Sequence, residues 1–179
     1  MPDTGTLKRT LERQYRAALG MLRSGVELCP DALWYDATPT NAYWQLAYHT
    51  LFFTHFYLQP TEDAFQPWHG HQRDVQWGDG IPGPADPTSP LPLMPRVYSR
   101  DAVLEYWAFC DGSLSGWLDA IDLDSPTSGF SWYPVSKLEH QLVNLRHIQH
   151  HAAQLADRLR AAGASPVDWI GSGRGNRPD

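Results

Sequence analysis

The stretch "LRHIQHHAAQL", residues 145–155, places three of the chain's eight histidines within five positions. Histidine is a moderate helix former, so the clustering asks for a chemical reason. At about 100° per residue, His147 and His151 lie about 40° and one turn apart on a helix. Two imidazoles at that spacing can share one ion. Gln154 continues their row and Asn144 precedes it. The face reads Val143, Asn144, His147, His150, His151, Gln154, with no charge at neutral pH. A solvated helix face carries Lys, Glu and Arg. This one reads as a covered face that needs polar contacts. Leu138, Leu142, Leu145, Leu155 and Leu159 form a stripe on roughly the opposite side.

A metal centre needs a third ligand, and His49 offers it. It sits among Leu46, Phe52, Phe53 and Phe56 on another helical segment. Alone it reads as a core histidine with one hydrogen-bond partner; beside an i, i+4 pair it reads as a ligand. Three protein ligands with water in the open positions mark a catalytic rather than a structural site. The candidate metal ligands are therefore His49, His147 and His151. Gln154 and His150 suit a supporting role next to them. His140 lies one heptad before His147, about 10 Å along the axis, too far to share the ion. His55 reads as packing, and His69 and His71 as loop residues. The alternative for the last two is that one folds back over the site. No Ser-His-Asp set is present. Glu139 and Asp157 are angularly offset from the histidine row, so no catalytic acid or base stands out.

The elements that must position these residues are helical. Leu7, Leu11, Tyr15, Ala18 and Leu22 predict a helix over 4–26, capped by Thr4 or Thr6. A second is expected over 40–58, capped by Thr40 or Asn41 and ended by Pro60. A third spans 100–122 behind Ser99, and the fourth and longest spans 135–162, closed by Gly163. Residues 59–99 hold eight prolines and four glycines and show no period. They read as a long irregular crossover in which Trp68, His69, His71 and Trp77 pack. With no convincing strand, the expectation is an all-α four-helix bundle with one long crossover between helices two and three. The bundle domain is expected over 1–163. A Gly- and Pro-rich tail, 164–179, is expected to be partly disordered, with Val167, Trp169 and Ile170 as anchors.

Composition narrows the function. The chain has 179 residues, 42% apolar, with eight tryptophans, enough for a sizeable core. Its net charge is −6 and it has only two lysines, which argues against a nucleic-acid surface. Cys29 and Cys110 read as buried thiols rather than a disulfide framework. No apolar run reaches the roughly 18–20 residues of a membrane span, and the first residues lack an apolar signal core. The expected setting is soluble, reducing and cytoplasmic. Part of the leucine or aromatic surface is left over. Either a second subunit covers it, as a two-fold homodimer, or the crossover and the Trp169 tail do.

"WQLAYHTLFF" and "KLEHQLVNLRHIQHHAAQL" together resemble the DinB-like superfamily of metal-binding four-helix bundles. That pattern has one histidine in the second helix, then His-x-x-x-His and a glutamine three positions on in the fourth. Here these are His49, His147, His151 and Gln154. The resemblance covers roughly residues 5–162, leaving out much of the crossover. Where relatives often carry Arg-Gly after the last histidine, this chain has Ala152-Ala153. The resemblance implies a divalent transition metal, zinc or nickel, on the three imidazoles. Relatives include bacillithiol transferases and mycothiol-dependent isomerases, which use the metal to hold and activate a low-molecular-weight thiol. The implied function is transfer of a small thiol cofactor to an electrophilic substrate, with Tyr48, Tyr106 and Trp107 as wall residues. The alternatives are a hydrolase using metal-bound hydroxide and a metal- or small-ligand-binding protein without turnover.

Overall fold

The computed structural model describes residues 3–36, 39, 41–72, 75 and 97–173. Among them all regular structure is helical: α1 (Thr4–Leu28), α2 (Asp31–Trp34), α3 (Tyr43–Tyr57), α4 (Arg100–Ala120) and α5 (Lys137–Ala161), plus a 3-10 turn at Glu62–Ala64. The four long helices lie within a few residues of the expected spans. The short α2 is an addition: Trp34 buries its ring and donates from Nε1 to the Tyr98 carbonyl, 3.0 Å away. Of the crossover, the described part is irregular apart from the 3-10 turn; Trp77 lies outside the described residues.

The caps follow local chemistry. Ser99 and Ser136 accept from the amides of Ala102 and Glu139 and so start α4 and α5. Asp3, not Thr4 or Thr6, caps α1, because its carboxylate reaches the Thr6 amide at 2.8 Å. Asn41 does not cap α3, and Thr40 lies outside the described residues: the cap position is Ala42, without a side-chain bond. The burial of α3 makes up for this, since twelve of its fifteen residues are buried. Gly163 ends α5 in a left-handed turn, φ +71°.

α1 packs on α4 and α5, and α3 packs on the same two. One apolar cluster gathers around α3, with Tyr48, Leu51, Tyr106 and Leu155 at full burial. A second joins Leu11, Tyr15, Leu114, Leu118 and Ile148 at the other end of α1. Between α1 and α4, Arg16 bridges Glu12 and Asp111, and Ser115 donates to Glu12 at 2.7 Å. Residues 164–173 run back along α1, where the Gly173 amide donates to the Arg13 carbonyl. Val167 packs there, whereas Trp169 stays 74% exposed and anchors nothing.

α5 corrects one expectation. Its leucines do not form one face opposite the histidines. The buried row is Gln141, Asn144, Ile148, Ala152, Leu155 and Leu159. On a 3.6-residue helix this row runs between His147 and His151 on one flank and Leu138 and Leu145 on the other. Leu142 points away, 49% exposed. The histidines thus border the core.

His55 and His140 are buried within the fold, and burial holds both well below the usual imidazole range, at about 4. Between pH 6.5 and about 4 the unfolded chain binds protons that the folded chain refuses. Stability therefore rises with pH across that window: it is fully present above 6.5 and lost as pH falls towards 4. Each group contributes on the order of 3 kcal/mol to the full loss. Urea melts of metal-free protein at pH 5 and pH 8 should show it. His140→Phe should flatten the slope by a large part of one group's share; an unchanged slope would exclude His140 as a source.

Candidate metal centre

α3 and α5 run antiparallel, and two buried amides set their register. The Gln141 side chain donates to the Tyr57 carbonyl at 3.0 Å, and Asn144 to the Thr54 carbonyl at 3.2 Å. Nearer the other end, Arg158 reaches the Asn41 carbonyl at 2.8 Å. His49 precedes Tyr57 by eight residues. Eight residues beyond Gln141 lies position 149, midway between His147 and His151. The register alone sets one imidazole against two.

The side chains complete the convergence. Nε2 of His147 lies 3.1 Å from Nε2 of His49 and 3.1 Å from Nε2 of His151. With metal–nitrogen bonds of about 2.0–2.1 Å, nitrogens around one ion stand about 2.9 Å apart on an octahedral face and about 3.3 Å apart in a tetrahedral site. The observed 3.1 Å lies between these values. The three residues could hold a metal ion.

The protonation state fits as well. His151 donates from Nδ1 to the Gln154 side-chain oxygen at 2.7 Å, which leaves its Nε2 lone pair facing the cluster. Burial lowers His147 to about 3, and His151, His49 and His150 add to the shift. Burial also lowers His151 to about 4, against a smaller raising effect of Gln154. Near neutral pH both rings are uncharged, the form that binds a metal. A lone pair on each Nε2 turned to one point repels its neighbours unless a cation stands between them. The buried Nδ1 of His147 has no hydrogen-bond partner. A proton there, as binding through Nε2 requires, finds no acceptor and costs about 1–3 kcal/mol, a penalty that offsets part of the gain from a bound ion.

The wall residues differ from those expected. Phe53 stands 4.8 Å from His49 and 5.7 Å from His147, ring centre to ring centre, and Tyr57 stands 6.4 Å from His147. Tyr48 and Tyr106 instead pack on another face of α3: the Tyr48 hydroxyl meets Nδ1 of His71 at 2.6 Å, and Tyr106 meets His55 at 3.1 Å. Trp107 donates to the Leu19 carbonyl. His69 pairs with Glu105 on the surface. Neither crossover histidine joins the three ligands. His150 is exposed and touches only the rim, its ring 5.0 Å from that of His151. Glu139 and Asp157 are exposed, and Asp157 pairs with Arg160. Sequence reasoning missed Phe53 and Tyr57 as walls, although their i+4 and i+8 spacing from His49 placed them on its side of the helix.

No known family model, curated protein or solved structure matches the chain.

Gln154 fixes the tautomer of His151, and losing such a partner typically weakens metal affinity about 10–100-fold. Gln154→Ala should do so for zinc in competition with a chromophoric chelator. His150→Ala should shift affinity by less than threefold, about 0.6 kcal/mol. Equal effects of the two would sink the assignment of Gln154 as the orienting partner.

Proposed function

We propose that the protein is a metal-dependent enzyme of the DinB-like type, a four-helix bundle that transfers a small thiol to an electrophilic substrate. The observation that carries this reading is the meeting of three Nε2 atoms from two helices, with 3.1 Å between His147 and each partner. The mutual packing of α1, α3, α4 and α5 suits such a bundle. His49, His147 and His151 would hold the ion, zinc or nickel by the resemblance.

A bound divalent ion supplies Lewis acidity, which favours the thiolate form of a bound thiol. The chain's own residues supply the rest. Three neutral imidazoles leave the charge of the ion uncompensated, so an anionic sulfur is favoured in an open position. Among the described residues, the cluster that could hold an ion is made of histidines, with no carboxylate in it. That favours a thiol over hydrolysis, which needs a general base. Gln154 orients His151. Phe53 and Tyr57 exclude water from one side and offer an apolar wall for the electrophile. In the transfer, sulfur forms a bond to the electrophilic carbon while the leaving group departs with its electron pair. The thiol proton goes to solvent.

The reading extends to the setting. Cys29 and Cys110 are buried and unpaired, which suits a reducing compartment, and we place the protein in the cytoplasm. No described helix is long and apolar enough to cross a membrane. The exposed Leu142 and Trp132 leave surface for a homodimer.

The test is consumption of a low-molecular-weight thiol together with a model electrophile. Zinc- or nickel-loaded protein should accelerate the loss of both. His147→Ala should remove at least about 99% of the rate, the loss of roughly 2.7 kcal/mol of transition-state stabilisation. Ester cleavage without thiol would replace this reading with a hydrolase. No turnover of either substrate by metal-loaded protein would leave a binding protein.

A further inference from the structure

The loop between α4 and α5, residues 121–136, is tied down rather than loose. Gly129 takes φ +81° and presses against the end of α3, where an added Cβ would meet the Pro60 carbonyl at 2.5 Å. The Glu62 amide donates to the Gly129 carbonyl at 3.0 Å. The Ser128 hydroxyl accepts from the Phe130 amide and donates to the Tyr133 carbonyl at 2.6 Å. Residues 126–131 and 133–135 of this loop line a cavity of about 450 Å³. That volume is ample for a ligand of one aromatic ring.

Two unusual groups lie outside the lining, behind two of its rings. His140 is fully buried, yet neither ring nitrogen has a hydrogen-bond partner. Its ring is boxed by Phe130 at 4.7 Å, Tyr133 at 4.9 Å and Tyr57 at 4.8 Å. Phe130 and Tyr133 are also cavity-lining residues. Lys137, one turn earlier, is 3% exposed. Its ammonium donates to the carbonyls of Gln59 and Pro60 and lies 5.2 Å from the Phe130 ring centre. It has no carboxylate partner among the described residues. Two aromatic rings therefore separate an open cavity from an unpaired imidazole and an unneutralised cation.

Buried polar groups are normally bonded and buried charges normally paired, because desolvation otherwise opposes burial. Carbonyl dipoles solvate Lys137 but leave its charge. The imidazole N–H has nothing. Both deficits call for the same complement, an acceptor with a negative charge. The surrounding rings call for a flat apolar body.

We propose that this cavity, with Lys137 and His140 behind the Phe130 and Tyr133 rings, is a binding site for a small aromatic monoanion of the arylcarboxylate class. The carboxylate accepts from the His140 N–H and neutralises Lys137 when one of the Phe130 and Tyr133 rings turns aside, and the ligand ring stacks on the ring that stays. Burial and the nearby Lys137 keep His140 neutral at pH 7, so it acts as a hydrogen-bond donor rather than a second cation. The site shares the Tyr57 ring with the three-histidine cluster but does not depend on a metal there.

Benzoate is the probe, titrated into metal-free full-length protein at pH 7 while the His140 ring protons and the Trp132 indole are followed by NMR. Saturable shifts at both are expected. His140→Phe and Lys137→Met should each weaken binding about tenfold or more, the loss of one charge-assisted hydrogen bond or ion pair. Lys137→Arg keeps the charge and should hold affinity within about threefold, which guards against a Lys137→Met chain that loses its fold. Benzyl alcohol, without the charge, should bind about tenfold more weakly. His49→Ala should leave the affinity unchanged. The proposal falls if no saturable shift appears by about 10 mM, or if benzyl alcohol binds as well as benzoate. It falls equally if His49→Ala abolishes binding, because benzoate would then be held by the histidine cluster.

Discussion

Two side-chain amides on α5 decide where everything else stands. Gln141 and Asn144 are fully buried, and each donates to a carbonyl near the end of α3. An amide in this position cannot slide. A slip of one residue would strand its N–H in an apolar core and cost about 1–3 kcal/mol per group. A helix packed by leucine and phenylalanine alone has no comparable penalty, because apolar contacts are non-directional. Tyr15 reinforces the lock by donating to the Gln141 oxygen at 2.8 Å, so α1 is tied to the same register. With α3 and α5 fixed in this way, His49 must face the gap between His147 and His151.

The same constraint explains why the histidines border the core rather than stand at its centre or in solvent. At the centre an imidazole would lose access to any ligand. In solvent it would titrate near its ordinary value and admit protons in competition with a cation. At the border, burial lowers His147 and His151 while one side stays open to a ligand. The repulsion among the three rings lowers them further. The orphaned Nδ1 of His147 works the other way, because binding through Nε2 puts a proton on an atom with no acceptor. The amide lock and the two apolar clusters hold the helices, so the three Nε2 atoms keep their places around one point.

Much of this was legible in the sequence, for identifiable reasons. The four long helices follow from apolar spacing, and the i, i+4 histidines follow from the same periodicity. His49 was legible only in combination, since a single histidine among aromatics has a packing explanation. Its neighbour His55 is the control: buried, stacked on Trp117 at 4.6 Å and bonded to Tyr106, it is a core histidine. Spacing could not say which face of α5 is covered. Leucine hydropathy suggested a face through Leu142, but the helix turns its mixed face inward because Gln141 and Asn144 find carbonyl partners there. The cap of α3 was misread because a helix buried on nearly all sides needs no side-chain cap. His140 was placed correctly outside the ligand set, yet nothing in its spacing revealed that it would be buried without a partner. That depends on Phe130 and Tyr133, which arrive from a loop with no periodic signal.

The crossover shows how a Pro- and Gly-rich insertion coexists with a site that demands fixed geometry. Its two described ends meet on α3 at Tyr48, one residue before His49 but on another face of the helix. The Tyr98 hydroxyl donates to the Gly70 carbonyl at 2.6 Å and accepts from the Gln72 amide at 2.9 Å. Tyr98 also stacks on Tyr48, with 4.5 Å between ring centres, and Trp68 stacks on Tyr106 at 4.7 Å. These contacts close the insertion at its base, so the chain leaves and returns at one point. The entropy of closing a loop grows only logarithmically with its length, so a long segment adds little strain once its ends are joined. Val75, the one described residue within 73–96, is fully buried in the core cluster around α3. α3 divides its faces accordingly: Tyr48 and Phe52 receive the crossover through His71, while His49 and Phe53 face α5. Anchoring the insertion through one set of aromatics leaves the adjacent set to shape the histidine site.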